Sequence, residues 1–322
     1  MPSCIIFGGS GYIGTKLAEY FLERKRFDRV YIADIKESPL QNKEGVISGI
    51  IDVRKPISIS FVEKPIEWIF NLAAIHREPG HESHEYFETN IKGAENISDF
   101  AENIGCRNIF FTASISTYGP TYTAMNEYML TMPNTPYGIS KLSAEYIHKV
   151  WVEKEKERRL IIVRPGVIYG PGDPGNILRM IKAVKKGYFF LPVPPTIKKS
   201  YGYIYGLLDS IGYSMSLPDK IFTYNYVEKE TENLGNMIQI MNQTLGFKGK
   251  IIRIPFSLLK FCASIIYRIQ PKMNGIHPDR VKKVARPTHI VPQVLMERNF
   301  DFQYDLKSSL LHWKQISPQD FE

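Results

Sequence analysis

Short β-branched apolar runs alternate with longer stretches of helical periodicity through the first half of the chain. The runs 3–7, 29–33, 46–51, 67–71, 108–113 and 160–164 predict strands. Helical patterns occupy 12–25, 85–104 and 137–157, with a shorter one near 56–63. Strands that are apolar on both faces, each followed by a helix, predict a parallel sheet covered on both sides. Right-handed crossovers then make the sheet doubly wound. The third helix ends on the charged run Glu153 to Arg159, which reads as a solvated last turn before the next strand.

Beyond Arg164 the texture changes. Pro165, Pro171 and Pro174, with Gly166, Gly170, Gly172 and Gly175, mark a looped segment, and Pro192-Val193-Pro194-Pro195 makes a second break. The expected architecture is α/β. Residues 1–165 are expected to form the doubly wound domain, and residues 166–322 a smaller mixed α/β domain. Some chain exchange between the two is expected. An amphipathic helix is predicted around Leu306–Trp313.

With 322 residues, 43% apolar and 23% charged, the chain can build a sizeable core, which excludes a disordered or fibrous protein. No apolar run approaches the roughly 20 residues that span a bilayer. No basic segment precedes an apolar stretch at the N-terminus, so a cytoplasmic protein is expected. Cys4, Cys106 and Cys262 are odd in number and far apart, which reads as buried thiols rather than a disulfide framework or metal site. The net charge of +8 is uneven: residues 1–160 carry 19 basic and 21 acidic side chains, residues 161–322 carry 22 and 12. That basic half is either a plain solvated surface or a face for phosphate-rich partners or an anionic membrane. Zinc-finger, basic-zipper and RNA-binding signatures are lacking, so nucleic acid is not expected.

Gly8-Gly9-Ser10-Gly11-Tyr12-Ile13-Gly14 follows the first strand and opens the first helix. Glycines there allow a tight turn, close approach to a pyrophosphate and helix-on-strand packing. Asp34 ends the second strand, where a carboxylate accepts ribose hydroxyls; it favours NAD over NADP, with Lys36 nearby as a counter-indication.

Tyr137 and Lys141 lie one turn apart on one helix face. A phenol with an ordinary pKa near 10 is a poor base, and an ammonium beside it favours the phenolate. The bland alternative is a chance pair on a surface helix. Ser114, just past the fifth strand, puts a hydroxyl at the carboxyl edge of the sheet, where doubly wound folds bind ligands.

Together these residues resemble the extended short-chain dehydrogenase/reductase superfamily of sugar epimerases, dehydratases and reductases. The likeness runs over essentially the whole chain. It takes in Asp52-Val53, Asn71-Leu72-Ala73-Ala74, Asn90-Ile91-Lys92-Gly93 and the stretch Arg164 to Gly172. The resemblance implies Tyr137 as acid/base, Lys141 as its electrostatic partner and Ser114 as the hydrogen-bond partner of the reacting oxygen. It implies that residues 1–165 are a Rossmann domain and 166–322 the substrate-binding domain, with NAD held by Gly8, Gly11, Tyr12, Ile13, Gly14, Asp34, Asp52, Val53, Leu72, Ala73, Ala74, Asn90, Tyr137, Lys141 and Pro165. No metal is implied.

Dehydratases of that superfamily follow the catalytic hydroxyl residue with an Asp-Glu pair, whereas here Ser114 is followed by Ile115-Ser116. The Cys and His of the double epimerase-reductases are also missing, since Ser116 occupies the Cys position and no His lies in 164–180. What remains is hydride transfer at one carbon, either C4 epimerisation or a single reduction of a 4-keto sugar by NAD(P)H. The segments Tyr224 to Val227, Gly175-Asn176-Ile177 and Arg280 to Lys283 resemble bacterial epimerases that interconvert N-acetylglucosamine and N-acetylgalactosamine. Some of these act on sugar linked through diphosphate to undecaprenol. The resemblance implies substrate contacts at His76, Ser114, Asn176, Lys199 and Arg280; for His76 a plain loop histidine, and for Asn176 a helix cap, stay open. The stretch Pro255–Ile269 reads either as an interfacial helix at the inner membrane face or as a buried helix. A homodimer through the helices 85–104 and 137–157 is the superfamily expectation. A dinucleotide-sensing scaffold is the non-enzymatic reading, and the Ser114, Tyr137 and Lys141 set argues against it.

Overall fold

The computed structural model describes residues 2–58, 62–63, 65–77, 80–173, 175–258 and 286–322. Its centre is a seven-stranded sheet in the order β10-β6-β5-β4-β1-β2-β3, with every pairing parallel. The strands are β1 (Ser3–Phe7), β2 (Arg29–Asp34), β3 (Val46–Ile50), β4 (Trp68–Asn71), β5 (Asn108–Thr112), β6 (Arg159–Pro165) and β10 (Ile221–Tyr226). The doubly wound α/β expectation holds.

Successive side chains of each strand enter opposite cores, which is why the runs read as continuously apolar. Cys4, Ile6, Ile32, Phe70, Phe110 and Ile161 pack on one face with Leu17 and Phe21 of α1 (Tyr12–Glu23) and Leu207 and Ile211 of α6 (Ile204–Ser216). Ile5, Phe7, Tyr31, Ile69, Phe111 and Ile162 pack on the other. That face is covered by Ile97 and Phe100 of α3 (Lys92–Ile104) and Ala144 and Trp151 of α4 (Pro136–Glu153).

The second half of the chain supplies β10, in register with β6 from Ile221↔Leu160 to Tyr226↔Pro165. It also forms two small parallel pairs: β7 (Val167–Tyr169) with β9 (Tyr201–Tyr203), and β8 (Tyr188–Leu191) with β11 (Lys250–Arg253). Helices α5 (Asn176–Lys185) and α7 (Leu234–Leu245) and the predicted C-terminal helix, observed over Leu306–Ile316, complete this part.

Three expectations need correction. The described residues of 56–63 are not helical; Pro56 and the β-branched Ile57 do not favour a helix there. The helix 85–104 is a short α2 (Ser83–Tyr86), one π-helical turn (Phe87–Ile91) and then α3, which stops at Gly105 with φ 72°. The helix 137–157 ends at Glu153, and its charged run is not simply solvated. Arg158 is buried, with bonds to the Trp151 carbonyl (2.9 Å) and Glu102 (3.1 Å). Cys4 and Cys106 are buried free thiols, and Cys262 lies outside the described residues.

Candidate active site

Because all seven strands are parallel, the loops after β1, β2, β4, β5 and β6 gather at one sheet edge. Gly8 has φ +76°, and a Cβ there would stand 2.6 Å from the Ala73 nitrogen, so the loops after β1 and β4 meet backbone to backbone. A Cβ on Gly14 would meet the Gly8 oxygen and the Gly9 Cα, each at 2.6 Å. Gly11 differs. Its φ is −75°, and its added Cβ would have only the Gly8 oxygen near, at 3.3 Å. Internal packing does not demand glycine there, whereas a ligand seated on the loop would. Gly11 is also the N-cap of α1, without a side-chain cap and without an acidic residue in the first turn. Those free N–H groups and the positive helix end suit a diphosphate.

Asp34 flanks this cradle. Its carboxylate accepts the Ser10 N–H at 3.0 Å and the Lys36 N–H at 3.2 Å, so Lys36 supports Asp34 through its backbone. Asp52 is clasped by Arg54, with Nη2–Oδ2 at 2.7 Å, and that hydrogen bonding holds its carboxyl below the usual range. Val53 supports α3: its carbonyl accepts Asn96 Nδ2 at 2.7 Å, and a Cβ on Gly93 would lie 2.9 Å from its Cγ2. Tyr12 Oη, Asn71 Oδ1 and Thr112 Oγ1 are buried without hydrogen-bond partners among the described residues. They belong to the start of α1 and the ends of β4 and β5, around the cradle. A polar ligand bound at this edge would satisfy such groups. The residues present therefore fit a dinucleotide with Asp34 beside its ribose.

Asn90 braces rather than opens this edge. Its amide donates to the Ile75 carbonyl (3.2 Å) and Ser140 Oγ (2.8 Å), and its oxygen accepts the Ile75 N–H (3.0 Å). The π turn carries this bridge from the loop after β4 to α4.

Thr135 caps α4 by accepting the Gly138 N–H at 3.1 Å, and Pro136 opens the helix. Ser114 caps the 3₁₀ turn Ile115–Tyr118: its Oγ accepts the Ser116 N–H at 3.1 Å, leaving its own proton to donate outward. The two starts are pressed together at Gly138, where a Cβ would be 2.5 Å from the Ser116 oxygen. The first turn of the Tyr137 helix thus packs against the turn that Ser114 caps. The Tyr137 ring lies 6.3 Å from the Tyr86 ring, tilted by 57°. Lys141 is 2% exposed, with Nζ 4.3 Å from the centroid of Phe111. Burial brings its pKa down to about 7, against the pull of Glu145. Sequence reasoning left Glu145 out, although its i+4 spacing from Lys141 repeats the spacing of Lys141 from Tyr137.

Residues 4–205 match the NAD dependent epimerase/dehydratase family. The chain belongs to that family. NAD is its cofactor. Among related proteins is the N-acetyl-alpha-D-glucosaminyl-diphospho-ditrans,octacis-undecaprenol 4-epimerase of Escherichia coli O157:H7, 28% identical over 95% of this chain and 92% of its own length. The GDP-6-deoxy-D-talose 4-dehydrogenase of Aggregatibacter actinomycetemcomitans is 26% identical over 89% of each chain. In fold, the chain is similar to the Bacillus cereus UDP-glucuronic acid 4-epimerase solved with UDP-glucuronic acid and NAD. The TM-score is 0.75 at 17% identity, over 98% of this chain and 99% of that one.

In this epimerase/dehydratase-family fold the expected substrate contacts are spread out. His76 lies near Lys141; burial, then Arg77 and Lys141, push its pKa down. Lys199 is half-buried and donates to the Arg286 carbonyl, and burial lowers its pKa to about 8. Asn176 is exposed at the first position of α5; Gly175 is the cap, so the capping reading of Asn176 fails. Arg280 lies outside the described residues, as does 255–269 beyond residue 258. Among the described residues no helix is long and apolar enough to cross a membrane.

Proposed function

We propose that this family member is a 4-epimerase of a diphosphate-linked hexose or N-acetylhexosamine, acting in surface polysaccharide assembly. The observation that supports this reading is the tight apposition at Gly138 and Ser116, which brings the start of the Tyr137 and Lys141 helix against the turn that Ser114 caps. Bound NAD supplies a hydride acceptor that can return the hydride. Tyr137 as phenolate takes the C4 hydroxyl proton, and Lys141 stabilises that phenolate. Ser114 donates to the C4 oxygen as it becomes a carbonyl. Tyr137 then returns the proton once the 4-keto sugar has presented its other face. No carboxylate follows Ser114, only Ile115, so an acid/base for water elimination is lacking there.

Lys199, with the other basic residues of 161–322, supports an anionic diphosphate substrate. Likeness to the undecaprenol-linked enzyme supports a polyprenyl carrier presented at the cytoplasmic membrane surface, and hence a cytoplasmic protein with peripheral membrane contact. The exposed apolar side chains Ile139, Tyr146 and Val150 on α4 support a homodimer through that face. Likeness to the 6-deoxy-talose dehydrogenase supports the alternative, a 4-keto-sugar reductase. Incubating the purified protein with UDP-N-acetylglucosamine and, separately, with its undecaprenyl-diphosphate counterpart, then resolving the sugars, tests the reading. A C4 epimer from either carrier supports it; net NAD(P)H consumption on a 4-keto sugar with no epimer selects the reductase.

A further inference from the structure

Lys141 makes no ion pair among the described residues, yet a carboxylate stands one helical turn away. Glu145 is fully buried. Arg164 of β6 grips it with two bonds, Nε–Oε1 at 2.9 Å and Nη2–Oε2 at 2.7 Å. Arg164 Nη1 donates to Tyr118 Oη at 2.9 Å, and Tyr118 donates to Asn225 Oδ1 at 2.9 Å. Asn225 is anchored in turn, its N–H on Glu127 Oε1 at 2.7 Å, while Glu127 Oε2 accepts the Gln293 N–H at 3.1 Å. This chain of bonds runs from the Tyr137 helix through the turn after Ser114 into β10.

A buried ion pair of this kind adds little stability over well-packed apolar residues. Its electrostatic effect on a neighbour is a different matter. We infer that Glu145 is a positioning residue for the reaction: its carboxylate, held by Arg164, keeps Lys141 charged and so keeps Tyr137 able to exist as phenolate. The inference rests on the Tyr137 and Lys141 roles proposed above. Of the other titratable and charged groups in this region, His76 of the loop after β4 and His148 of α4 feel the Lys141 charge, Tyr137 shares its helix, Arg77 acts on His76, and Arg164 of β6 acts on Glu145. Burial pushes His76 down and His148 down to about 3, with the Lys141 charge adding to each, so neither carries charge at neutral pH. Burial opposes the Arg164 charge, but Glu145 outweighs it. Glu145 is the anion that acts on Lys141.

The test is the pH profile of kcat at saturating NAD for Glu145→Gln. Loss of the Lys141 proton ends activity on the alkaline side, and removing the Glu145 charge makes that loss easier. The alkaline limb is therefore expected to move to lower pH by about one unit, with the plateau about tenfold lower and NAD still bound. Glu145→Asp, which keeps the charge, brings the limb back. Because Glu145→Gln strands the Arg164 charge, the paired variant Glu145→Gln with Arg164→Met removes both and is expected to shift the limb in the same direction. A folded variant of either kind with the wild-type limb and plateau overturns the inference. Tyr137→Phe is measured alongside: if it stays active, the catalytic reading has failed rather than the role of Glu145.

Discussion

Gly138 and Ser116 touch so closely that a Cβ on the first would stand 2.5 Å from the carbonyl oxygen of the second. One glycine in the first turn of α4 thereby sets how near the Tyr137 helix comes to the Ser114 turn. Glycine costs a helix about 1 kcal/mol relative to alanine, so local propensity alone would not place it there.

Gly138→Ala is therefore expected to destabilise the protein by about 1–3 kcal/mol, the usual range for overpacking, despite the helix gain. It also pushes Ser114 and Tyr137 apart, so kcat falls more than about tenfold while the affinity for NAD is kept. Chemical denaturation and steady-state kinetics on one preparation read both effects. An alanine variant as stable and as active as wild type would mean the contact is not decisive.

Gly11→Ala separates packing from ligand approach. The backbone at Gly11 suits any residue, and the nearest atom to an added Cβ is the Gly8 oxygen at 3.3 Å. The fold should survive nearly unchanged, while NAD affinity, followed by fluorescence titration, drops at least about tenfold. Gly14→Ala, which would meet two backbone atoms at 2.6 Å, is expected to lose stability instead.

Ser114→Ala tests the hydroxyl proposed to follow the reacting oxygen. Loss of one such donor costs about 10²–10³ in kcat with little effect on KM. The Ser116 N–H also loses its acceptor, which adds a small stability change. A large rise in KM with kcat unchanged would make Ser114 a binding residue only.

Glu228 makes its own contribution to the pH dependence of stability. It is buried and hydrogen-bonded to Tyr169, and burial raises its pKa to about 8. The Tyr169 hydroxyl, 2.6 Å from Ser309 Oγ, also ties β7 to the C-terminal helix. Between the ordinary carboxyl pKa and about 8, the folded state binds a proton that the unfolded state has released. The Glu228 contribution to stability should fall as pH rises through that window, against the rise that buried His148 contributes below the ordinary histidine pKa. Glu228→Gln, neutral throughout, should flatten the dependence in urea titrations at several pH values; an equally steep slope in the variant would remove Glu228 as its source.

Strands β1, β2, β4, β5 and β6 were legible because they are buried on both faces and so read as nearly unbroken apolar runs, whereas the edge strand β3 is only half-buried. The glycine loop and Asp34 were legible for a similar reason, since their chemistry is local in sequence. β10 was not, because Ile221-Phe222-Thr223-Tyr224-Asn225-Tyr226 becomes a sheet strand only by pairing with β6, some sixty residues earlier. The break at Phe87–Ile91 was also hidden: helical periodicity continues through a π turn, and only the Asn90 bridge to Ile75 and Ser140 reveals it. The ion pair of Glu145 and Arg164 joins residues on different elements, which residue spacing alone does not encode.

The central claim is that a hydride leaves C4 and returns to C4 of the same sugar. The direct measurement is incubation of the purified, NAD-loaded protein with a diphosphate-linked N-acetylglucosamine carrying deuterium at C4, without added reduced cofactor. Conversion to the C4 epimer with the deuterium retained at C4 is the predicted result. No epimer, or product formed only as NADH or NADPH is consumed, would contradict it.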